Sequence, residues 1–403
     1  MSRRRSRRRQ PLTPWRIARI GAAAAAALFI AWWAFKLIAV EEMARANPFA
    51  AAMVAPKDPR VAMRLALVET LISPAKADPR HREAAIAALD RSALAEEPFL
   101  LEASRAQAAG NAARAERLLV EARRRNPRER LVRLMLLQRY LGTERWPEAG
   151  AEISVITRLV PRAQDLLAPA LSKLAAQPQY AAPMAELLAR SPGLKGAVLQ
   201  QLAASGVPAG QILRLAGPAT RRAGPWQQTL LVSLIGAGDI RGAYSVWLRV
   251  SGISGGQWKG VYDPGFAGLG GPPPFNWSYS GGEGGNAERS RGGLQVDYFG
   301  RVDTQLVKQV LLLAPGRYRF DFRAQGNASG DGGRIQWSIT CAKGGAELLR
   351  LPLAGVTSLR GFSAAFTVPA GCDGQWLTLS GSAGDVAGQQ SALISGLRIS
   401  GGA

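Results

Sequence analysis

The spacing of the apolar residues changes abruptly near residue 251, and this change restricts the possible folds of the 403-residue chain more than any other feature. From 45 to 250 the sequence is rich in Ala, Leu, Arg and Glu, which favour helices. After 255, short segments such as RYRFDF and RIQWSITC alternate apolar and polar residues, and Gly and Pro separate them. Alternation with period two is typical of strands that bury one face. The sequence therefore predicts a multidomain protein, first α and then β.

The N-terminal 40 residues have the composition of a membrane anchor. Eight arginines and no acidic residue occur in 1–19, and residues 20–40 are apolar except for Lys36. About 20 apolar residues can cross a bilayer as a helix, and flanking arginines stay on the cytoplasmic side. We therefore expect a basic cytoplasmic tail over 1–19, a single transmembrane helix over 20–40 and the rest of the chain outside the cytoplasm. A cleavable signal peptide is the alternative, because the A-R-A sequence at 44–46 resembles a cleavage site.

The net charge of +22 does not by itself indicate a nucleic-acid partner. A strongly basic protein often binds nucleic acid, but much of the excess lies in the N-terminal tail, where membrane topology accounts for it. No nucleic acid is therefore expected. The high content of Ala, Arg and Gly suggests a bacterial protein. We expect it in the inner membrane as a single-pass protein with its bulk in the periplasm.

The helical half contains a repeated helix–turn–helix pattern. In the segment 98–129, Gly110 separates two helical stretches and Asn126 with the proline after it ends the second one. The next segment repeats the frame with Gly142 and Pro161. This region resembles the tetratricopeptide-repeat family, and the resemblance implies a solenoid of stacked helix pairs over 45–250. It also implies a concave groove for a peptide or protein partner, although a spacer or self-packing scaffold is the alternative.

The glycine-rich half consists of short alternating segments in a particular order and closes with the segment LISGLRIS. Within it, one pattern is formed by Gln309, Val310, Leu312, Pro315, Gly316, Tyr318 and Phe320. The order and this pattern resemble those of the jelly-roll carbohydrate-binding modules with a galactose-binding-like fold. The resemblance implies an antiparallel β-sandwich over 275–403 that binds a glycan, after a linker over 251–274. The same sandwich also serves as a protein-docking or structural module.

Aromatic residues near the start of this half provide candidate sugar-binding positions. A pyranose packs its C–H patches on flat aromatic faces, while amides and carboxylates bind its hydroxyls. The candidate ligand residues are Trp258, Tyr262, Asn276, Trp277, Tyr279, Glu283 and Trp376. Two of them have a structural alternative. Trp277, together with Phe275, would plug one end of the sandwich, which is the role we favour for it, and Trp376 would contact the second sheet.

The chain has two cysteines, Cys341 and Cys372. In a reducing compartment they would be small apolar residues, but in an exported domain an even pair favours a disulfide. We therefore predict a disulfide that staples neighbouring strands of the sandwich.

Nothing in the sequence supports catalysis. His81 is the single histidine, which removes most catalytic triads and imidazole-based metal sites. Glu283, Glu288 and Asp297 could in principle hydrolyse a glycoside, but isolated acids in glycine-rich loops are common. We expect no enzyme activity, no metal and no cofactor.

These features together predict a membrane-anchored periplasmic accessory protein. Its helical repeats would bind a protein partner and its sandwich a polysaccharide, in the synthesis or export of a surface polysaccharide. The alternative is an assembly scaffold of an envelope membrane complex, which binds proteins only and no sugar.

Overall fold

The computed structural model describes residues 27–33, 35, 39–40, 42–44, 46–55, 58–72, 83, 87, 95–217, 224–253, 260–328, 333–385 and 388–401. The predicted cytoplasmic tail lies outside them, as does much of the predicted transmembrane helix over 20–40. Among the described residues, none of the helices combines the length and the apolar character that crossing a bilayer requires. Two compact units divide the chain, Met1–Pro161 and Arg162–Ala403.

The first unit is helical, as predicted. Its helices include α1 (Pro48–Val54), α2 (Pro59–Ile72), α3 (Glu97–Ala108), α4 (Ala112–Arg125), α5 (Arg130–Gly142) and α6 (Trp146–Leu159). Gly110 lies in the turn between α3 and α4 with a φ of 74°, a left-handed conformation that glycine adopts without strain. The side chain of Asn111 then caps α4 by accepting the N–H of Arg114 at 3.1 Å. The helix boundaries thus follow the repeated pattern, while membership of the tetratricopeptide-repeat family remains a prediction.

Two clusters of charged side chains link α4, α5 and α6. Glu152 on α6 is 1% exposed, and it accepts hydrogen bonds from Arg123 on α4 and Arg133 on α5. Glu116 on α4 is bound in the same way by Arg139 on α5 and by Arg145, which precedes α6. Each carboxylate therefore binds arginines that lie 19 to 29 residues away from it in the sequence, on other helices or beside them.

The second unit begins with helices and ends with the sandwich. Its helices include α7 (Ala163–Ala175), α8 (Ala181–Ala189), α9 (Pro192–Ala204), α10 (Ala209–Ala216), α11 (Pro225–Gly236) and α12 (Ile240–Ser251). The side chain of Asp239 caps α12 by accepting the N–H of Gly242 at 2.9 Å.

The sandwich consists of two antiparallel five-stranded sheets, as predicted. The strands are β1 (Ser278–Tyr279), β2 (Gly285–Ser290), β3 (Gly293–Tyr298), β4 (Thr304–Leu311), β5 (Gly316–Gly326), β6 (Arg334–Cys341), β7 (Glu347–Pro352), β8 (Arg360–Val368), β9 (Gln375–Ser382) and β10 (Gln390–Gly401). Sheet A has the strand order β1-β4-β9-β6-β7, and sheet B has the order β2-β3-β10-β5-β8. The apolar positions of the alternating segments face inward and form one core around Tyr298, Phe320 and Trp337.

The predicted linker over 251–274 must be corrected in its second half. Val261 and Phe266 belong to the apolar core of the sandwich. Asp263 is buried, and its carboxylate accepts the backbone N–H groups of three consecutive residues, 267 to 269. These bonds fold the segment into a compact loop. The sandwich domain therefore begins before the predicted residue 275.

Aromatic side chains attach α12 to this segment. Trp247 is buried, and its indole N–H donates a hydrogen bond to the carbonyl of Pro272 at 3.0 Å. Its ring meets Tyr262 edge-on at 4.9 Å and lies 5.8 Å from Phe275. The last helix is thus packed directly on the sandwich domain.

The predicted disulfide is confirmed. Cys341 at the end of β6 and Cys372 in the loop before β9 are bonded, with their Cα atoms 5.5 Å apart. Because both residues are buried, the bond ties β6 to that loop from inside the sandwich.

Candidate functional site

Two of the predicted ligand residues lie inside the sandwich domain. Trp277 is 3% exposed, and its indole N–H donates to the carbonyl of Asp263 at 2.9 Å. Tyr262 is also buried, and its hydroxyl donates to the carbonyl of Gly270 at 2.8 Å. The indole of Trp277 therefore offers no face to a ligand, and the buried ring of Tyr262 lines an apolar cleft. For Trp277, the structure agrees with the plug alternative, because an indole that satisfies its only polar group internally can be buried at low cost.

The remaining residues near the N-terminal end of the sandwich have mixed environments. Asn276 uses its side-chain amide to bind loop carbonyls, including that of Leu269 at 2.6 Å. Glu283 is exposed in the turn before β2. Trp258 lies outside the described residues. The side-chain amide of Asn276 is therefore used inside the loop, whereas Glu283 is exposed to solvent.

Tyr279 is the exposed aromatic residue of this group. It lies on the edge strand β1 and is 37% exposed. Desolvation raises the pKa of its hydroxyl to about 12. The positive charge of Arg289 lowers this pKa, and the negative charge of Asp263 raises it. The hydroxyl therefore stays protonated at neutral pH and can donate a hydrogen bond.

Trp376 lies on the outer face of sheet A. Along β9 the side chains alternate between buried and half-buried, and Trp376 shares the half-buried side with Thr378 and Ser380. Leu377 and Leu379 face the core instead. The strand sequence QWLTLSGS produces this arrangement because successive side chains of a strand point to opposite faces.

Strand register brings polar groups from other strands to the same face. Trp376 is paired with Val310 on β4 and with Thr340 on β6. The ammonium group of Lys308, on β4, lies 5.0 Å from the centre of the Trp376 ring, which is a cation–π contact. The indole is therefore held beside a positive charge.

The next row of the face contains hydroxyl groups between two cationic side chains. Thr378 is paired with Lys308 on one side and with Ser338 on the other, and Ser338 is paired with Arg350 on β7. We call this surface the Trp376 face, and it comprises Lys308, Gln336, Ser338, Thr340, Arg350, Trp376, Thr378 and Ser380. It presents one flat aromatic ring among hydroxyl and cationic groups, while the amide side chain of Gln336 is buried.

Arg350 is not free on this surface, since it forms an ion pair with Glu347. The hydrogen bond from Arg350 lowers the pKa of Glu347, so the carboxylate is charged at neutral pH and offers acceptor oxygens at the rim of the face.

An apolar cleft borders the face on the side of α12. Its lining consists of Tyr244, Trp247, Gly260, Tyr262, Phe275, Val310 and Leu312. Val310 also pairs with Trp376 across the strands, so the cleft and the Trp376 face are neighbours. Sequence reasoning named Trp376 but missed its polar neighbours. Their alternation along β6 and β9 is visible in the sequence, but their adjacency depends on strand register.

No protein-family model matches the chain, and no curated protein matches it. Solved structures of carbohydrate-binding modules are similar to its C-terminal part. The module TmCBM61 in complex with β-1,4-galactotriose is 17% identical, with 36% of this chain and 98% of that chain covered and a TM-score of 0.25. The N-terminal cellulose-binding domain of β-1,4-glucanase C from Cellulomonas fimi is 18% identical, with 32% and 89% covered and a TM-score of 0.23.

Proposed function

We propose that the sandwich binds a polysaccharide on the Trp376 face and that the chain is a non-enzymatic accessory protein. The observation that carries this function is a half-buried indole beside Lys308, in register with hydroxyl residues of neighbouring strands. A pyranose can lay its C–H patch on such a ring while its hydroxyl groups exchange hydrogen bonds with the surrounding side chains.

The extent of the face favours a polymer over a single sugar. The Trp376 face extends over four strands of sheet A, and neighbouring strands lie about 4.8 Å apart, so the face is about 14 Å wide between its outer strands. Polar side chains continue along β9 from Thr378 to Ser380, beyond the ring itself. An extended glycan could therefore contact several strands at once.

The wider role that we propose places the sandwich next to a protein-binding helical region. The arginine-rich tail and the apolar segment over 20–40 support a membrane anchor with the bulk of the chain in a bacterial periplasm. The paired helices support a protein partner. Within the second unit, Trp247 packs α12 on the sandwich domain, so a partner bound by these helices would be held near a glycan. Synthesis or export of a surface polysaccharide suits this combination.

Affinity electrophoresis of the full-length chain in gels that contain neutral or acidic polysaccharides tests the glycan site. Trp376→Ala should weaken retention by about fivefold, because stacking on an aromatic ring contributes on the order of 1 kcal/mol. Tyr279→Ala is the matched control, since this exposed aromatic residue lies on the edge strand β1 and should leave retention unchanged. Equal unfolding midpoints in urea exclude a folding defect.

Two outcomes would contradict the site. Retention that Tyr279→Ala abolishes and Trp376→Ala preserves would move binding to the β1 edge. Retention on none of the polysaccharides would leave the competing role, a scaffold that binds proteins only.

For the anchor, a reporter fused after residue 45 should be active outside the cytoplasm, and activity only inside would refute the proposed orientation. A pull-down from native membranes identifies the partner.

A further inference from the structure

Four arginines lie on the outer face of sheet B. Along β5 every second residue is exposed or half-buried, and these positions hold Arg317, Arg319, Asp321 and Arg323. Arg398 on β10 is exposed and is paired with Asp321. We call the four cationic residues the arginine face. It lies on the opposite sheet from Trp376, so it is independent of the proposed glycan site.

The arrangement of these charges is regular. Positions two apart on a strand are separated by about 6.8 Å, and the neighbouring strand lies about 4.8 Å away. Arg317 and Arg319 are therefore consecutive charges along β5, and Arg398 lies between Arg319 and Arg323 on the next strand. The result is a short array of guanidinium groups with a single carboxylate, that of Asp321.

The residues around the array leave the guanidinium groups uncovered. On β8, the residues paired with the three arginines of β5 and with Asp321 are all exposed, and they are Gly361, Ser363, Ala365 and Thr367. On the other side, Arg319 and Arg323 are paired with Ser400 and Ser395 of β10. The hydrogen bond from Arg319 to the hydroxyl of Ser363, at 3.2 Å, orients one of the arginines along the sheet.

Several arginines of the first unit have carboxylate partners. In the first unit, Arg123 and Arg133 bind Glu152, and Arg139 binds Glu116. The ion pairs among the described residues include none of the four arginines of the arginine face. Stabilisation of the fold by ion pairs therefore does not explain their presence.

Protection of a sheet edge does not explain the four arginines of the arginine face either. Charged residues on edge strands prevent sheets from pairing with other chains. However, β5 lies between β10 and β8, so its hydrogen-bonding groups are already paired. The charges lie in the interior of the sheet, where they form a surface instead of guarding an edge.

We infer that the arginine face binds an acidic polysaccharide through carboxylate groups repeated along the polymer. A guanidinium group binds a carboxylate with two parallel hydrogen bonds, and a row of arginines matches charges repeated along an extended chain. The neighbouring outward side chains of β8 are small, so nothing there would insert into a bilayer. They include no aromatic ring on which the bases of a single-stranded nucleic acid would stack.

Footprinting of arginines on the full-length chain tests the inference site by site. A dicarbonyl reagent modifies exposed arginines, and mass spectrometry measures the rate at each one with polygalacturonate, neutral dextran or phosphatidylglycerol vesicles added. Polygalacturonate should slow modification of Arg317, Arg319, Arg323 and Arg398 several-fold at low ionic strength, and added salt should reverse the protection. Dextran should protect none of them. Scoring each arginine separately keeps the arginine-rich tail from obscuring the result.

Exposed arginines in turns of the same domain provide the matched control. Arg319→Gln with Arg323→Gln should weaken polygalacturonate protection at Arg398 by about tenfold, since two charge contacts are lost. Arg291→Gln with Arg301→Gln removes the same charge from exposed sites and should leave that protection unchanged. Trp376→Ala should also leave it unchanged, which separates this face from the proposed glycan site.

Three outcomes would overturn the inference. The first is equal protection of Arg291, Arg301 and the arginine face, which would indicate unspecific attraction. The second is an equal loss of protection in the two double variants. The third is stronger protection by the vesicles than by polygalacturonate, which would assign the face to a membrane surface.

Discussion

The side-chain amide of Gln309 exchanges two hydrogen bonds with the backbone of Tyr262. It accepts the Tyr262 N–H at 2.9 Å and donates to the Tyr262 carbonyl at 2.8 Å, across 47 residues of sequence. Gln309 is fully buried on β4, on the side of the strand that faces the core. The amide of Gln309 thus binds the backbone of Tyr262 through the same pair of hydrogen bonds that a neighbouring strand would make. This pairing is a main reason why the residues after 260 belong to the sandwich domain.

Replacing Gln309 with Ala should destabilise the second unit by about 2–4 kcal/mol, because two buried backbone groups of Tyr262 would lose their partner. Gln305→Ala, on the same strand, is the control. Its half-buried side chain makes one long hydrogen bond, at 3.4 Å to Ser280, so the loss should stay below about 1 kcal/mol. Urea unfolding of both variants measures the difference. Equal losses would show that the Tyr262 pairing is not stabilising.

Trp277→Ala should unfold the sandwich more easily, with a loss of about 3–5 kcal/mol in the free energy of unfolding. The indole packs against Phe266 at 4.8 Å and lies 6.1 Å from Trp337, so its removal opens a cavity in the core. Tyr279→Ala, two residues along the chain, should cost less, about 1–2 kcal/mol, because that ring is only partly buried on the edge strand β1. A Trp277→Ala protein as stable as the unmodified protein would refute the role of this indole in filling one end of the sandwich.

Removing the disulfide should cost about 3–4 kcal/mol on the chain-entropy argument, since Cys341 and Cys372 close a loop of 31 residues. The double variant Cys341→Ala with Cys372→Ala should show this loss in urea unfolding. A reducing agent should lower the stability of the unmodified protein to a similar value and leave the double variant unaffected. Insensitivity of the unmodified protein to the reducing agent would contradict the prediction.

The stability of the first unit should fall at acid pH through Glu116. Burial alone would raise its pKa, but hydrogen bonds and positive charge from Arg145 and Arg139 outweigh burial and lower the pKa below 4.5. A carboxyl group with a lowered pKa in the folded state contributes stability above its unfolded pKa, and the contribution is lost as the pH falls through the folded pKa.

Glu116→Gln should therefore reduce stability at pH 7 by about 1 kcal/mol or less, because the cluster is partly exposed to solvent. The difference from the unmodified protein should shrink as the pH falls below about 4. Glu186→Gln, which removes an exposed carboxylate from α8, is the control for the loss of a charge. Thermal unfolding at a series of pH values measures both, and a difference that persists at acid pH would contradict the role of this carboxylate.

Local features of the chain could be predicted well from the sequence. The glycine turn at Gly110 appears where the repeated pattern placed it, because a helix end depends on a few neighbouring residues. The inward face of β6, with Trp337 and Cys341, follows from an alternation that is visible without any partner strand. The disulfide was predicted from the number of cysteines and an expected compartment, and the structure contains it.

The roles of individual aromatic residues could not be predicted in this way. Trp277 and Trp376 were both candidate ligand residues with a structural alternative; the structure agrees with the favoured core position for Trp277, whereas Trp376 lies on an outer face and does not contact the second sheet through the core. The boundary of the sandwich was also missed, since Tyr262 joins it through a glutamine 47 residues away.

The sequence by itself determined which segments are helices and which are strands, and which side of each strand is apolar. Tertiary structure alone decided which polar side chains became neighbours, such as Lys308 beside Trp376 and Arg398 opposite Asp321. The physical reason is that the two kinds of information act over different distances along the chain. Periodicity acts over a few residues, whereas strand register is set by the packing of the whole core, and a shift of one residue would turn each strand over.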